Sequence, residues 1–318
     1  MSDGVTLEGR SAIVTGAAAG LGRAEALALA SAGAAVVIND LNEDALRSVA
    51  DEITGGGGQA VAVAGDIGEW ETGRRLVSAA VDAFGQLDIL INNAGLVRDR
   101  MVFSMSEQEW DLVLRVHLRG HFVTTRFATA YWRDTSKKQG GPVYARIVNT
   151  SSEAFLFGSP GQPNYSAAKA GITALTVSTA RGCGRYGVRA NAICPRARTA
   201  MTAGLMSAPA EGEPDPLARE HVTPLVTYLA SPAAAGINGE VFVVHGGVAA
   251  LMAPPSVRAV ARAAEHGSPD GMWTLDSIAK ALGPMFPEAG PRDEPAGAGF
   301  ACDATADLAD ETIGFPPT

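Results

Sequence analysis

Cysteine is scarce in this chain. Among 318 residues only Cys183, Cys194 and Cys302 occur. Their number is odd and no Cys-x-x-Cys spacing is present, which argues against a disulfide framework or a zinc site and fits a reducing compartment. No metal is expected. Long apolar runs are missing as well, since none reaches the ~18 residues a membrane span needs. The opening stretch, MSDGVTLEGRSAIVTG, lacks the unbroken apolar core of a secretory leader. The closing Phe315-Pro316-Pro317-Thr318 is not a peroxisomal address. The expectation is a cytoplasmic protein without a membrane span. There is also no Lys/Arg run, and 25 basic residues face 34 acidic ones, a formal charge of −9. A nucleic-acid partner would meet a repulsive average field and is not expected. A small anionic ligand stays compatible, because local backbone amides can oppose the net charge.

What is present suits a folded enzyme-sized domain. Hydrophobic residues make up 47% and charged residues 19%, enough for a core and too few charges for a disordered chain. Short Val/Ile-rich runs bounded by Gly, Asp or Asn recur at Ser11–Thr15, Ala35–Asn39, Ala60–Ala64, Ile89–Asn92, Arg146–Thr150, Arg189–Ile193 and Glu240–Val244. Between them, Leu21–Ala32, Glu69–Phe84, Glu107–Trp132 and Pro163–Tyr186 have helical spacing. This alternation predicts an α/β fold, a doubly wound, Rossmann-like parallel sheet of seven strands with helices on both faces. The catalytic domain is expected over residues 1–250, with a Pro/Gly-rich acidic extension over 251–318. That extension holds four basic and ten acidic residues, and Thr274–Leu282 reads as one short helix capped by Thr274. It is read as packed on the surface or partly disordered, with a subunit-bridging arm or an active-site cover as the alternatives.

Thr15-Gly16-Ala17-Ala18-Ala19-Gly20-Leu21-Gly22 follows the first strand and opens the first helix. Such a turn supplies flexible backbone, close approach to a pyrophosphate and tight helix–strand packing, with the helix N-terminus aimed at the phosphates. Gly16, Ala19, Gly20, Leu21 and Gly22 are therefore candidate dinucleotide contacts. Asp40 ends the second strand, where a carboxylate accepts from both ribose hydroxyls and repels a 2′-phosphate. It argues for NAD over NADP, and it also reads as an N-cap for a helix over Asn42–Ala50. Arg23, in the glycine turn, is poor support for a phosphate pocket by itself. Asp66, with Ile67 beside it, reads either as an acceptor for the adenine amino group or as another N-cap.

Three motifs then occur in one order: TGAAAGLG, Asn92-Asn93-Ala94-Gly95 and Tyr165-Ser166-Ala167-Ala168-Lys169. Together they resemble the classical short-chain dehydrogenases/reductases over residues 8–248. The resemblance implies oxidoreductase chemistry on a secondary alcohol or ketone. Tyr165 and Lys169 stand four apart and share a helix face. A cation beside the phenol is expected to lower the tyrosine pKa towards working pH, so that Tyr165 exchanges the substrate proton. Lys169 also binds the nicotinamide ribose by the resemblance. Ser152 is the serine that orients the substrate oxygen on family spacing, with Ser151 the neighbouring alternative. His117 stands where most relatives have Asn; a main-chain role in a proton relay survives that change, and the imidazole itself reads as structural. Asn93, Ala94 and Gly95 are expected along the adenosine ribose, with Thr150, Pro195 and Thr199 framing the cofactor. Relatives usually have Gly after that proline. Here Arg196 and Arg198 read as a solvated pair of charges, with recognition of an anionic substrate such as coenzyme A as the alternative.

Within the family, VIND-L, V-H-L-R-G-H-F and N-T-S-S-E-A resemble the (3R)-hydroxyacyl-CoA dehydrogenase part of multifunctional β-oxidation enzymes and actinobacterial relatives of hydroxysteroid dehydrogenases. The implied reaction is NAD-dependent oxidation of a (3R)-3-hydroxyacyl-CoA. The alternatives are a hydroxysteroid or 3-oxoacyl-carrier-protein substrate and, in another class, a catalytically silent NAD-binding regulatory protein. Met201–Asp215 reads as a short cover over the substrate. A homotetramer, or a homodimer, through the two long helices is expected by analogy.

Overall fold

The computed structural model describes residues 5–199, 215–257, 259–268 and 270–285. The chain divides into two compact units, Met1–Met252 and Ala253–Thr318. The segment expected to cover the substrate lies outside the described residues, apart from Asp215.

The first unit is built on one sheet. Its strands are β1 (Ser11–Thr15), β2 (Ala35–Asp40), β3 (Ala60–Ala64), β4 (Ile89–Asn92), β5 (Ala145–Thr150), β6 (Val188–Pro195), β7 (Val241–His245) and β8 (Val248–Leu251). Their spatial order is β3-β2-β1-β4-β5-β6-β7-β8, parallel from β3 through β7. The order reverses between β1 and β4, so the crevice for a ligand opens beyond their C-terminal ends. The expected fold class is observed, with one strand more than expected. Gly246 and Gly247 both have positive φ, 45° and 86°, and turn the chain back on itself so that His245 pairs with Val248. A two-residue turn with positive φ at both positions matches the twist of the strands it joins, and paired glycines adopt it freely.

Helices cover both faces: α1 (Gly20–Ser31), α2 (Glu43–Gly55), α3 (Trp70–Phe84), α4 (Glu107–Leu114), α5 (Gly120–Gln139), α6 (Ala154–Phe157), α7 (Pro163–Cys183) and α8 (Thr223–Ala230). Alternate strand residues feed two apolar layers. Val14, Val36, Ile38 and Ile91 pack with Leu29, Leu46 and Val226 on one side. Ile13, Val37, Leu90 and Ile147 pack with Leu76, Ala128 and Trp132 on the other. Burial of continuous Val/Ile runs on both faces is what makes the strands parallel and helix-covered. The helix expected over Glu107–Trp132 is not continuous. A capping box between Ser106 and Glu109 starts α4, a π-helical turn over Arg115–Arg119 interrupts it, and α5 resumes at Gly120. Such a turn re-aims the residues it contains, here His117. Asp40 is not the cap of α2: Asn42 accepts from the Ala45 N–H at 3.1 Å instead.

In the second unit, a 3-10 turn over Ala263–His266 is followed by α9 (Leu275–Leu282). Thr274 and Ser277 form a reciprocal capping box at its start. No helix among the described residues is long and apolar enough to cross a membrane.

One carboxyl group in the first unit is out of keeping with its surroundings. Glu25 of α1 is completely buried, neither oxygen has a partner, and burial raises its pKa to about 8. It folds as a neutral acid. Below about 4.5 it is neutral in both folded and unfolded chains; between there and about 8 only the unfolded chain ionises. Stability should therefore fall by about 1.4 kcal/mol per pH unit across that window from this group alone. Glu25→Gln should flatten the decline, measured by denaturant unfolding at pH 5 and pH 8. Equal declines in both proteins would show that Glu25 does not carry it.

Candidate active site

The glycine turn sits where β1 ends and α1 begins. Gly16 and Gly20 have φ of 67° and 60°, the left-handed region that L side chains rarely occupy. Two of the glycines also serve the protein's own packing. A Cβ on Gly16 would lie 2.7 Å from the Ala94 Cα, and one on Gly22 would lie 2.3 Å from the Gly16 carbonyl oxygen. Asn93 is tied into the same turn: its side chain donates to the carbonyls of Thr15 and Gly16 at 3.1 and 3.3 Å. The Thr15 hydroxyl accepts from the N–H groups of Asn93 and Ala94. Gly20 meets no such crowding, and Thr199 lies over it, its methyl 3.8 Å from where a Cβ would stand.

This turn fits a dinucleotide phosphate. The first turn of α1 has no side-chain cap at Ala19 and no acidic residue, so its N–H groups and positive dipole end are left for an anion. Beside it, Asp40 accepts from the Ala18 N–H at 3.1 Å and from those of Leu41 and Asn42. Arg23 is paired with Glu52. Asp66 has partners that neither expectation included: one oxygen accepts from the Gly68 N–H, and the other pairs with Arg115 at 2.6 Å. Arg115 bridges on to Glu69, and no side chain caps α3. Ile67 is buried against Gly120, where a Cβ would come within 2.8 Å of it.

The second half of the site lies on α7 and the end of β5. Lys169 is 2% exposed, and its ammonium donates to the Thr150 carbonyl at 2.6 Å. It also lies 5.2 Å from the centre of the Tyr165 ring. The Ser152 hydroxyl stands beside the Tyr165 phenol and favours its ionisation by hydrogen bonding. Ser151 turns the other way. It is buried, donates to the Lys169 carbonyl at 3.0 Å and meets the Thr173 hydroxyl at 2.8 Å. A phenol and a hydroxyl side by side can hold one alcohol or carbonyl oxygen and exchange a proton with it.

The charge balance differs from the expected one. Burial dominates, raising the Tyr165 phenol to about 12 against the opposing hydrogen bond from Ser152. Burial likewise lowers Lys169 to about 7. The phenol thus holds its proton at neutral pH while the amine is half charged, because desolvation penalises both ionised forms.

His117 reaches this wall from the π-helical turn. Its Nε2 lies 3.0 Å from the Leu96 nitrogen and 2.7 Å from the Leu96 oxygen, accepting in one tautomer and donating in the other. Its ring stands edge-on to Tyr165, with centroids 5.2 Å apart. Burial holds it neutral, with the Lys169 charge adding to the effect. Gly95 makes room for it, since a Cβ there would lie 2.3 Å from the His117 Cε1. One turn on, His121 is fully buried and held down to about 3 for the same two reasons.

Beneath the site runs a buried amide network through Asn92 and Asn149, residues the motifs contain but whose pairing no motif announces. Asn92 donates to the Asn149 side-chain oxygen at 2.9 Å and to Thr125 at 3.2 Å, and accepts from the Thr124 hydroxyl at 2.6 Å. Asn149 donates on to Thr176 at 2.8 Å. The chain of bonds joins β4, β5, α5 and α7, and fixes the height of α7 against β5. Arg196 and Arg198 are not a solvated pair. Arg196 is 4% exposed and forks onto Glu153 at 2.6 and 2.9 Å; Arg198 forks onto Asp215 at 2.8 and 3.2 Å. Among the described residues no group of His, Cys, Asp and Glu is arranged to hold a metal.

A family model described as short chain dehydrogenase matches residues 10–209. The chain is 58% identical over 258 residues to hydroxyacyl-CoA dehydrogenase ChsB1 of Mycobacterium tuberculosis, covering 78% of this chain and 81% of that one. It is 41% identical over 256 residues to the peroxisomal multifunctional enzyme type 2 of Mus musculus, but covers 33% of that longer protein and 78% of itself. Among solved structures, a short chain dehydrogenase from Mycobacterium avium superposes with a TM-score of 0.77 at 43% identity, over 92% of this chain and 100% of that one.

The two adjacent serines separate by their surroundings. Ser151→Ala should lower stability by about 1–3 kcal/mol by stranding buried partners, while Ser152→Ala should leave the melting temperature near wild type and cut turnover about a hundredfold. Thermal melting and steady-state kinetics on both variants check this; the reverse pattern would exchange their roles.

Proposed function

The chain belongs to the short-chain dehydrogenase family, and on that premise we propose that it interconverts a (3R)-3-hydroxyacyl-CoA and the 3-oxoacyl-CoA with NAD as its cofactor. The substrate class is supported by the 58% identity to a protein named as a hydroxyacyl-CoA dehydrogenase. The observation that carries the chemistry is the Ser152 hydroxyl beside the Tyr165 phenol, with the Lys169 amine held on the Thr150 carbonyl 5.2 Å from the centre of the Tyr165 ring. Asp40 at the end of β2, with Arg23 spent on Glu52, supports NAD over NADP.

The bound nicotinamide would supply the hydride acceptor in oxidation and, as NADH, the hydride donor in reduction. The cofactor would lie along Gly16, Ala19, Gly20, Leu21 and Gly22, with Asp40 at the ribose, Asp66 and Ile67 towards the adenine, Asn93, Ala94 and Gly95 along the adenosine ribose and the chain leading on from it, and Thr150, Pro195 and Thr199 towards the nicotinamide. Ser152 donates to the substrate oxygen and fixes its direction. In reduction, Tyr165 gives its proton to that oxygen, and the phenolate left behind is stabilised by the Lys169 ammonium. In oxidation the same proton returns to Tyr165. His117 acts on Tyr165 by packing edge-on against it and holding its ring. A homotetramer or homodimer belongs to the same proposal, and the exposed Trp110 and Phe122 near α4 and α5 suit burial between copies.

The direct test is NADH production from (3R)-3-hydroxybutanoyl-CoA. Wild type should turn over with NAD at least tenfold better than with NADP, and Tyr165→Phe should lose at least a hundredfold. Wild-type turnover by the variant would sink the acid/base assignment. NAD binding without turnover of any hydroxyacyl-CoA, hydroxysteroid or simple secondary alcohol would favour a silent binding protein instead.

The pH dependence follows from Lys169. In the resting site it is cationic below about 7 and neutral above, while the Tyr165 phenol is protonated across that range. The kcat/KM for ketone reduction should therefore decline as pH rises through about 7. Lys169→Arg, whose guanidinium does not titrate in this range, should react more slowly but lack that limb. An unaltered limb in the variant would assign it to another group.

A further inference from the structure

The least expected feature beside the site is the Glu153–Arg196 pair. Arg196 Nε lies 2.6 Å from Glu153 Oε2, and Nη2 lies 2.9 Å from Oε1, so two parallel bonds join guanidinium and carboxylate. The side chains are only 4% and 10% exposed. Taking two charges out of water is costly, and an apolar pair of similar volume usually holds a fold as well. Stability therefore does not account for the pair. Its location does.

Glu153 is the second residue of a tight turn. The Phe155 N–H donates to the Ser152 carbonyl at 3.3 Å, and the Ala154 N–H donates to the Ser152 hydroxyl at 3.2 Å. The direction of the Ser152 hydroxyl is thus set by a turn whose corner is Glu153. Arg196, on the other side, is anchored to the sheet. It follows the last residue of β6, and its N–H donates to the Val244 carbonyl of β7 at 3.0 Å. The fork carries the rigidity of two strand ends across to a turn that has left the sheet. Its planar, bidentate geometry fixes orientation as well as distance.

We infer that Glu153 and Arg196 are a positioning pair that aims the Ser152 hydroxyl at the substrate oxygen. The pair stands next to both Ser152 and Pro195, so it also holds the end of β5 in register with the end of β6. The inference rests on the role given to Ser152 above.

The test is a double-mutant comparison on the full-length protein with (3R)-3-hydroxybutanoyl-CoA and NAD. Glu153→Gln removes the charge and keeps the shape. Glu153→Leu with Arg196→Met replaces the pair by apolar groups and guards against a failure to fold. Each is made with Ser152 intact and with Ser152→Ala, and each is also read by thermal melting and by NADH binding through fluorescence. With Ser152 intact, kcat should fall at least about tenfold, with KM and the NADH dissociation constant within about threefold of wild type. In the Ser152→Ala background the further loss should be under about threefold, because groups acting as a unit are not additive. The same fractional loss in both backgrounds, a loss explained by weaker NADH binding, or a kcat within about twofold of wild type in both variants would overturn the proposal. Should Ser152→Ala itself turn over like wild type, it is the reading of the site that fails, which is a separate result.

Discussion

A buried amine on the Thr150 carbonyl is the constraint around which this site is arranged. Lys169 can reach that carbonyl only because α7 lies flat against the end of β5. The Asn92–Asn149–Thr176 bonds hold it there from below, and Ser151 holds it from the side. Everything chemical follows from how dry the result is. Burial penalises both ionised forms, pushing the phenol up and the amine down. An ionised phenol there depends on the charges gathered around it, which is why the positions of Lys169 and Ser152 matter so much.

The same economy of space governs the dinucleotide half. Gly16 and Gly22 are commonly thought of as making room for a phosphate, but their first neighbours are Ala94, Asn93 and each other. Gly95 yields its space to His117. The glycine turn, the end of β4 and the π-helical turn are therefore packed on one another before any ligand is considered. A shift in one would be transmitted to the rest, because close-packed groups cannot absorb even one extra carbon.

Much of the fold was legible along the chain. The seven parallel strands were visible as Val/Ile runs, and the Tyr165–Lys169 spacing on a helix was visible as a four-residue interval. The eighth strand was missed although its signal was there, in Gly246-Gly247 between two apolar runs. The π-helical turn had no signal, since Leu114–Gly120 has ordinary helical composition and is re-aimed only by what it packs against. Arg196 and Arg198 looked like surface charges because sequence distance hides their partners, 43 residues away at Glu153 and 17 away at Asp215. The Asp66–Arg115 pair was hidden in the same way, because the two lie 49 residues apart.

The sequence by itself determined the class of sheet, the place of the glycine turn, and the four-residue interval that puts Tyr165 and Lys169 on one helix face. Those depend on local pattern: strand period, helix spacing, and the residues that tolerate positive φ. Tertiary structure alone decided that Ser151 bonds the Lys169 carbonyl while Ser152 lies beside Tyr165, that burial opposes ionisation of both the phenol and the amine, and that two arginines are paired with carboxylates, Arg196 in a buried fork, rather than solvated charges. These depend on which groups lose water and which meet across the sheet, and burial and long-range pairing are properties of the folded chain, not of any stretch of it.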